Sequence, residues 1–230
     1  MRLPQQELSI ICLANTQNLY GLTQQLFRLA EHLAPGAFPP APPVATLPAG
    51  PATDLPGIYL EPTSLTNVRI ITEQDGLLRA ARSNRGYAQP LRATTPDTYV
   101  NQGQGETSYA FARAEDGQVR HLRSVERGNA IVLQKTAPAA LSQAALHRYT
   151  GRYYSAELNQ HFRLTQRRGQ LRLSLYRLVH VPFVALEGHR FLADLQGHNC
   201  VAFQLDPAGK VTGFTFHREA INGLVFQRQR

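Results

Sequence analysis

Histidines offer the most versatile chemistry in this chain, because an imidazole can bind a metal or exchange a proton near neutral pH. Eight occur, and five lie in the last third, at His161, His180, His189, His198 and His217. None has the short His-x-x-x-His spacing of a helical metal motif. Side chains on different strands can converge, so His180, His189 and His198 form a hypothetical site at one rim. We interpret them instead as exposed strand-end histidines, and we predict no metal site.

The sequence contains little evidence for a catalytic nucleophile. A serine acting with a histidine and an aspartate need not be adjacent to them in sequence, so that arrangement stays open. The Gly-x-Ser-x-Gly turn that presents such a serine in many hydrolases is absent. The glycine-rich stretch 101–108 follows a predicted strand and opens no helix, unlike a phosphate-binding loop. We therefore predict no catalytic residue and no cofactor.

Charge and cysteine content narrow the class of protein further. The formal net charge is +8, but the basic residues are scattered, and Arg167 and Arg168 are the only adjacent pair. Because a clustered basic patch is the usual signature of nucleic-acid binding, we predict no nucleic-acid partner. No apolar run approaches the ~18 residues of a membrane span. Cys12 and Cys200 lie in different segments, and we interpret each as a small buried hydrophobe.

The elements that would position these residues come from a pattern that occurs twice. Gly57 and Tyr59 recur as Gly151 and Tyr153, and the offset stays between 92 and 94 to the last landmark. A nearly fixed register over about eighty residues indicates a duplicated domain, longer than the ~20–50 residues of short repeat families.

Each copy reads as about eight short strands with alternating apolar residues and tight turns. Asp75-Gly76 and Asp116-Gly117 are hairpin signals. The even spacing predicts an up-and-down barrel or a sandwich. An eight-stranded barrel is either filled by its own side chains or holds one small ligand, and we expect the filled kind. The aromatic residues at matching positions would form its core: Tyr59, Tyr99, Phe111, Tyr153, Phe191, Phe203, Phe214 and Phe226.

The segment before the repeats has a different pattern. Residues 7–14 predict a buried strand, and leucines from Leu19 to Leu33 predict an amphipathic helix, with Thr16 or Asn18 as its N-cap. Eight prolines within 35–56 predict an extended linker. Since one strand and one helix have no core, we expect this segment to dock on a barrel or to form a dimer. The predicted domains are 1–34, the linker 35–54, the barrels 55–136 and 149–230, and a connector 137–148 capped by Ser142.

Taken together, these features resemble the C-terminal region of a serine β-lactamase or penicillin-binding-protein-like hydrolase, of the class C and D-aminopeptidase type. The strand and helix in 1–34 look like the end of the catalytic fold. Each repeat resembles a lipocalin-like β-barrel, on the landmarks Gly-x-Tyr at its start and, in the second copy, Asp206 to Val211 and the final Val-Phe-Gln-Arg. The predicted fold class is therefore mainly β, with two tandem eight-stranded antiparallel lipocalin-like barrels after that strand and helix.

The family's nucleophile is the serine of Ser-x-x-Lys, and this motif is absent. Lys135 and Lys210, the only lysines, do not follow a serine at that spacing. Tyr99-Val-Asn101 and Lys135-Thr136-Ala137 approximate other family motifs, but both lie after the fold's final helix, so we interpret them as coincidences. The resemblance also implies a periplasmic or extracellular location, although we find no signal peptide.

The resemblance thus predicts a non-catalytic accessory module of a serine hydrolase, cut from a longer chain. It would shape or gate the active site, with the loop 101–108 near the substrate cleft, or mediate assembly. Its partner would be a β-lactamase-like catalytic domain, in the parent chain or in a separate one. Two alternatives stay open: a barrel module that binds a small apolar or peptidoglycan-like ligand, and a free-standing hydrolase with an unrecognised site.

Overall fold

The structure, a computed structural model, describes residues 2–3, 6–13, 26, 28–36, 54–82, 88–101, 107–126, 129–175, 179–194, 198–218 and 221–229. It is mainly β and contains two closed eight-stranded antiparallel barrels. Both follow the up-and-down order, in which each strand pairs with the next along the chain and the last pairs with the first. Closure leaves neither sheet with an open edge. The predicted fold class is confirmed.

The first barrel consists of β3 to β10. Because β10 pairs with β3, the ring closes beside the chain entry at Gly57. The strands are β3 (Gly57–Leu60), β4 (Val68–Gln74), β5 (Leu77–Ala81), β6 (Gln89–Thr95), β7 (Thr98–Asn101), β8 (Thr107–Arg113), β9 (Val119–Glu126) and β10 (Asn129–Thr136).

The second barrel consists of β11 to β18 and closes between β11 and β18. A short helix, α2 (Gln143–His147), precedes it, and the Ser142 side chain accepts a hydrogen bond from the Ala145 amide at 3.2 Å, so the predicted cap is confirmed. The strands are β11 (Gly151–Ser155), β12 (Gln160–Arg167), β13 (Gln170–Leu175), β14 (Val179–Leu186), β15 (Arg190–Asp194), β16 (His198–Leu205), β17 (Val211–Arg218) and β18 (Ile221–Arg228).

Matching turns set the strand register in both barrels. Asp75 and Gly76 join β4 to β5 with φ of 55° and 73°, as a type I′ turn requires. Arg168 and Gly169 occupy the same place between β12 and β13 with φ of 53° and 69°. Glycine at the second position avoids the steric cost of positive φ. The Asp-Gly signal was therefore correctly interpreted as a hairpin.

The interior of each barrel is filled by apolar side chains from alternating positions. In the second barrel Phe214 stacks on Phe226 at 4.8 Å between ring centroids and also contacts Tyr153 and Phe203. All the predicted core aromatics are buried except Tyr99, which is half-buried against Phe111. Stacked and edge-to-face pairs of this kind add to the free energy gained from burying apolar area.

Each barrel also has a buried tyrosine whose hydroxyl is hydrogen-bonded to the backbone just before the first strand of the barrel. The Tyr59 hydroxyl donates to the Leu55 carbonyl at 2.6 Å, and the Tyr153 hydroxyl donates to the Tyr149 carbonyl at 2.8 Å. Both bonds span four residues, so the two copies of the repeat share this contact as well as its sequence.

Tyr153→Phe is expected to lower the free energy of unfolding by about 1–2 kcal/mol, since the buried Tyr149 carbonyl loses its donor. Burial also raises the pKa of Tyr153 to about 12. In the unfolded chain the phenol ionises near pH 10, so stability is lost as pH rises from about 10 towards 12. Urea unfolding at pH 8 and 11 should show a smaller pH effect in the variant. An unchanged alkaline loss would show that Tyr153 does not cause it.

The two barrels pack on each other through an apolar cluster distinct from their interiors. Ile58, Leu60 and Val68 on the outer face of β3 and β4 contact Leu186 and Leu192 of the second barrel. At the same place the Ala139 amide donates to the Ala185 carbonyl at 2.8 Å, and Pro138 bridges to Leu186. Residues such as Ile58, although they point away from their own barrel's interior, are therefore buried.

The N-terminal segment is less compact than the sequence predicts. Its strand is short: β2 (Leu8–Ser9) pairs with β1 (Arg2–Leu3). Ile11 and Leu13, predicted to be buried, are 85% and 94% exposed. The helix α1 covers residues 28–33 and ends before Gly36, as expected, whereas its predicted start and N-cap lie outside the described residues. So does nearly all of the predicted linker. No helix in the described part of the chain is long and apolar enough to cross a membrane.

Candidate functional site

The hypothesised histidine site is not assembled at one rim. His180 lies near the start of β14 and His198 at the start of β16, so they share one end of the second barrel. His189 lies in the turn between β14 and β15, at the opposite end, because neighbouring strands run antiparallel. The hypothesis that His189 lies at the same rim as the other two histidines was therefore wrong. Among the described residues, no cluster of His, Cys, Asp or Glu could hold a metal.

His189 instead forms a pair with a buried tyrosine. Its Nδ1 lies 2.7 Å from the Tyr149 hydroxyl. The Tyr149 ring packs on Phe191 and Phe203 at the end of the core, and burial raises its pKa. A neutral phenol held this way fixes the histidine ring, which is a structural role.

The two motifs that we interpret as coincidences lie on strands of the first barrel. Tyr99 and Asn101 lie on β7, with the Tyr99 ring 5.7 Å from Phe111. Lys135 lies on β10, where its Nζ donates to the Asp54 carbonyl and lies 5.8 Å from the centre of the Tyr59 ring. Burial lowers the pKa of Lys135. Residues 102–106 of the proposed cleft loop lie outside the described residues.

One end of the first barrel's interior is polar. Arg69, only 4% exposed, donates to the Val68 carbonyl at 2.9 Å and lies 3.5 Å from the Glu126 carboxylate, which also pairs with Arg82. Burial lowers the pKa of Arg69. The Oγ of fully buried Ser124 has no hydrogen-bond partner within the described part of the structure. Since Glu126 lies close to both guanidinium groups, we interpret the cluster as ion pairs that link neighbouring parts of the sheet.

The second barrel has aromatic rings at the corresponding positions. Phe162 pairs with Tyr153 as Arg69 pairs with Tyr59, so it occupies the place of Arg69 in the strand ladder, and it stacks on Phe226 at 4.3 Å. Phe216 occupies the place of Ser124 and is buried in the same core. The two barrels therefore have the same strand arrangement, but this end of the interior is polar in the first and aromatic in the second. The packed aromatic side chains in the described interior of the second barrel favour a filled core over a ligand-binding cavity.

A groove lies on the outside of the second barrel, where α2 meets β11 and β12. Its volume is about 610 Å³, and its lining includes His147, Thr150, Arg152, Arg163 and Gln166. No aspartate or glutamate among the described residues lines it. Hydrogen-bond donors and positive charge therefore meet in this concavity.

Two arginines in the lining of this groove are direct neighbours on adjacent strands. Arg152 on β11 pairs directly with Arg163 on β12, and both are exposed. Side chains directly opposite on antiparallel strands have Cβ atoms roughly 4.5–5.5 Å apart, and like charges there are destabilising. The ion pairs of the described residues lie in the first barrel, between Arg69, Arg82, Arg113 or Arg120 and nearby carboxylates.

Sequence reasoning missed this pair. The two arginines are eleven positions apart, so linear clustering did not reveal them. The correspondence with the first copy comes from the strand ladders, where Arg152 pairs with Arg163 as Ile58 pairs with Ile70. Sequence alignment does not show it, because Val68-Arg69-Ile70 matches Phe162-Arg163-Leu164 by residue type and so places Arg163 opposite Arg69.

The prediction that both cysteines are buried is confirmed for Cys200 and wrong for Cys12. Cys200 is buried in the contact between the barrels, and burial raises the pKa of its thiol to about 12, so it acts as a small hydrophobe. Cys12 is exposed, contrary to the prediction, because the strand expected to bury it ends at Ser9. Both cysteines are free thiols.

Comparison with known proteins adds no assignment. No protein-family model matches this sequence, and no curated protein matches it.

Proposed function

We propose that this chain is a non-catalytic accessory module of a β-lactamase-like serine hydrolase, which it helps to shape, gate or assemble. Its lipocalin-like barrels would be the scaffold, and residues 1–34 would pack against the catalytic domain. The proposal rests on the resemblance of that segment to the end of such a fold and on one structural observation.

The observation is the exposure of apolar side chains in this segment. Ile11 and Leu13 are 85% and 94% exposed, and Leu29 and Leu33 on α1 are 45% and 54% exposed. Exposed apolar groups gathered in one segment are typical of an interaction site. Burying a leucine side chain fully gains roughly 1.5–3 kcal/mol, so a partner that covers these four gains substantial free energy. The filled interiors of the barrels do not favour the small-ligand alternative.

The test uses a fluorescent penicillin, which labels the active-site serine of this class of hydrolase. Antibodies against the barrels should precipitate, from the native source, a penicillin-labelled serine outside residues 1–230, in the same polypeptide or in an associated one. Purified 1–230 should not hydrolyse a chromogenic β-lactam or ester. Label within 1–230, or no labelled protein in the precipitate, would overturn the proposal.

Where the hydrolase is a separate chain, a matched pair of variants tests the surface. Ile11→Ser with Leu13→Ser should weaken co-precipitation at least tenfold, because both side chains would be buried in the complex. Leu77→Ser with Val132→Ser, exposed apolar residues of the first barrel, should leave it unchanged. Equal loss in both double variants would argue against the N-terminal segment as the contact.

A further inference from the structure

The same outer face has opposite chemistry in the two copies of the barrel. In the first copy, Ile58 on β3 and Ile70 on β4 lie in the apolar contact with the second barrel. In the second copy, the residues at these repeat positions are Arg152 and Arg163, which are exposed. In the first copy this face therefore packs on the second barrel of the same chain, whereas in the second copy its two arginines are exposed.

The uncovered face is basic and concave. Arg152 and Arg163 are cross-strand neighbours in the groove's lining, which also includes His147, Thr165 and Gln166. The second barrel, residues 149–230, has ten arginines and one lysine against five acidic residues, a formal charge of +6 out of +8 for the whole chain. Most of the net positive charge of the chain therefore lies in this barrel.

The proximity of Arg152 and Arg163 is energetically unfavourable. Like charges directly across two strands repel each other, and neither guanidinium has an ion-pair partner within the described residues. An arginine fork binds a carboxylate through two parallel hydrogen bonds, and two forks on adjacent strands can hold neighbouring carboxylates. An acidic partner would turn the repulsion into attraction.

We propose that the face formed by Arg152, Arg163 and the adjoining groove is a docking surface for an acidic protein segment, one that presents neighbouring aspartates or glutamates. The partner is a protein because the corresponding face of the first copy packs on a folded domain, the second barrel of the same chain. It is acidic because the contact positions are arginines and no carboxylate of the described residues lines the groove. This inference goes beyond the proposed function and does not depend on the identity of the hydrolase.

Poly-L-glutamate is the probe, titrated into the full chain by calorimetry at low and high salt. Arg152→Gln with Arg163→Gln should weaken binding at least tenfold. Arg120→Gln with Arg123→Gln removes two exposed positive charges from the first barrel and should change affinity less than twofold. Because exposed charges are screened by salt, wild-type binding should also weaken as salt rises. Equal losses in the two double variants would reduce the effect to net charge and overturn the proposal.

Thermal unfolding separates a docking role from a structural one. Arg163→Gln alone relieves the repulsion, so its Tm should equal or exceed that of the wild type while poly-L-glutamate binding falls. A lowered Tm with unchanged binding would assign the pair a structural role and overturn the docking surface. So would tighter binding of heparin than of poly-L-glutamate through the same two arginines, because the face would then belong to a sulfated polysaccharide.

Discussion

Phe214→Ala is expected to lower the free energy of unfolding of the second barrel by about 3–5 kcal/mol, the usual cost of removing a large aromatic side chain from a packed core. Phe214 is 1% exposed and contacts Tyr153, Phe203 and Phe226. The closed ring of strands cannot collapse easily around the cavity, which places the loss at the upper end. Urea unfolding followed by circular dichroism measures it.

The matched control is Leu158→Ala. Leu158 lies in the turn between β11 and β12 and is 45% exposed, so its truncation should cost less than about 1 kcal/mol. A loss below about 1 kcal/mol for Phe214→Ala as well would contradict a packed interior in the second barrel.

Leu186→Asp is expected to uncouple the two barrels. Leu186 is 2% exposed in the cluster with Ile58, Leu60 and Val68, and Arg190 is its direct cross-strand neighbour. Even beside Arg190, an aspartate here loses the packing of the leucine and must be desolvated, so we expect a loss of about 2 kcal/mol or more at the contact. Differential scanning calorimetry should resolve two transitions in the variant and one in the wild type.

Val132→Asp is the control for this experiment, because Val132 is 54% exposed on the first barrel and its carboxylate would stay in water. It should unfold as the wild type does. A single transition at the wild-type temperature for Leu186→Asp would show that the contact between the barrels contributes little to their stability.

The contact between the barrels is heterologous, because each copy of the repeat uses a different face. A head-to-tail contact can continue into a filament when the free faces also match. The face of the first barrel that corresponds to Leu186, Leu192 and Cys200 has Thr94, Val100 and Ser108 instead. At the other end of the pair, Arg152 replaces Ile58. Each free face is therefore less apolar than the face that forms the contact, which disfavours addition of a further copy.

The sequence alone determined the local geometry of this protein. The alternation of apolar residues and the Asp75-Gly76 turn define hairpins, because side-chain direction and positive φ are properties of a few neighbouring residues. The repeat showed that the hairpins are used twice, and the matched aromatics identified the core. Ser142 as a helix cap could be predicted for the same local reason.

The tertiary structure decided everything that depends on residues far apart in the chain. Ring closure between β11 and β18 and the burial of Ile58 against Leu186 depend on which surfaces meet, which no local pattern encodes. The pairing of Arg152 with Arg163 depends on strand register, which turn geometry and core packing fix together. The predicted burial of Ile11 failed for the same reason: an apolar side chain is buried only where another surface covers it.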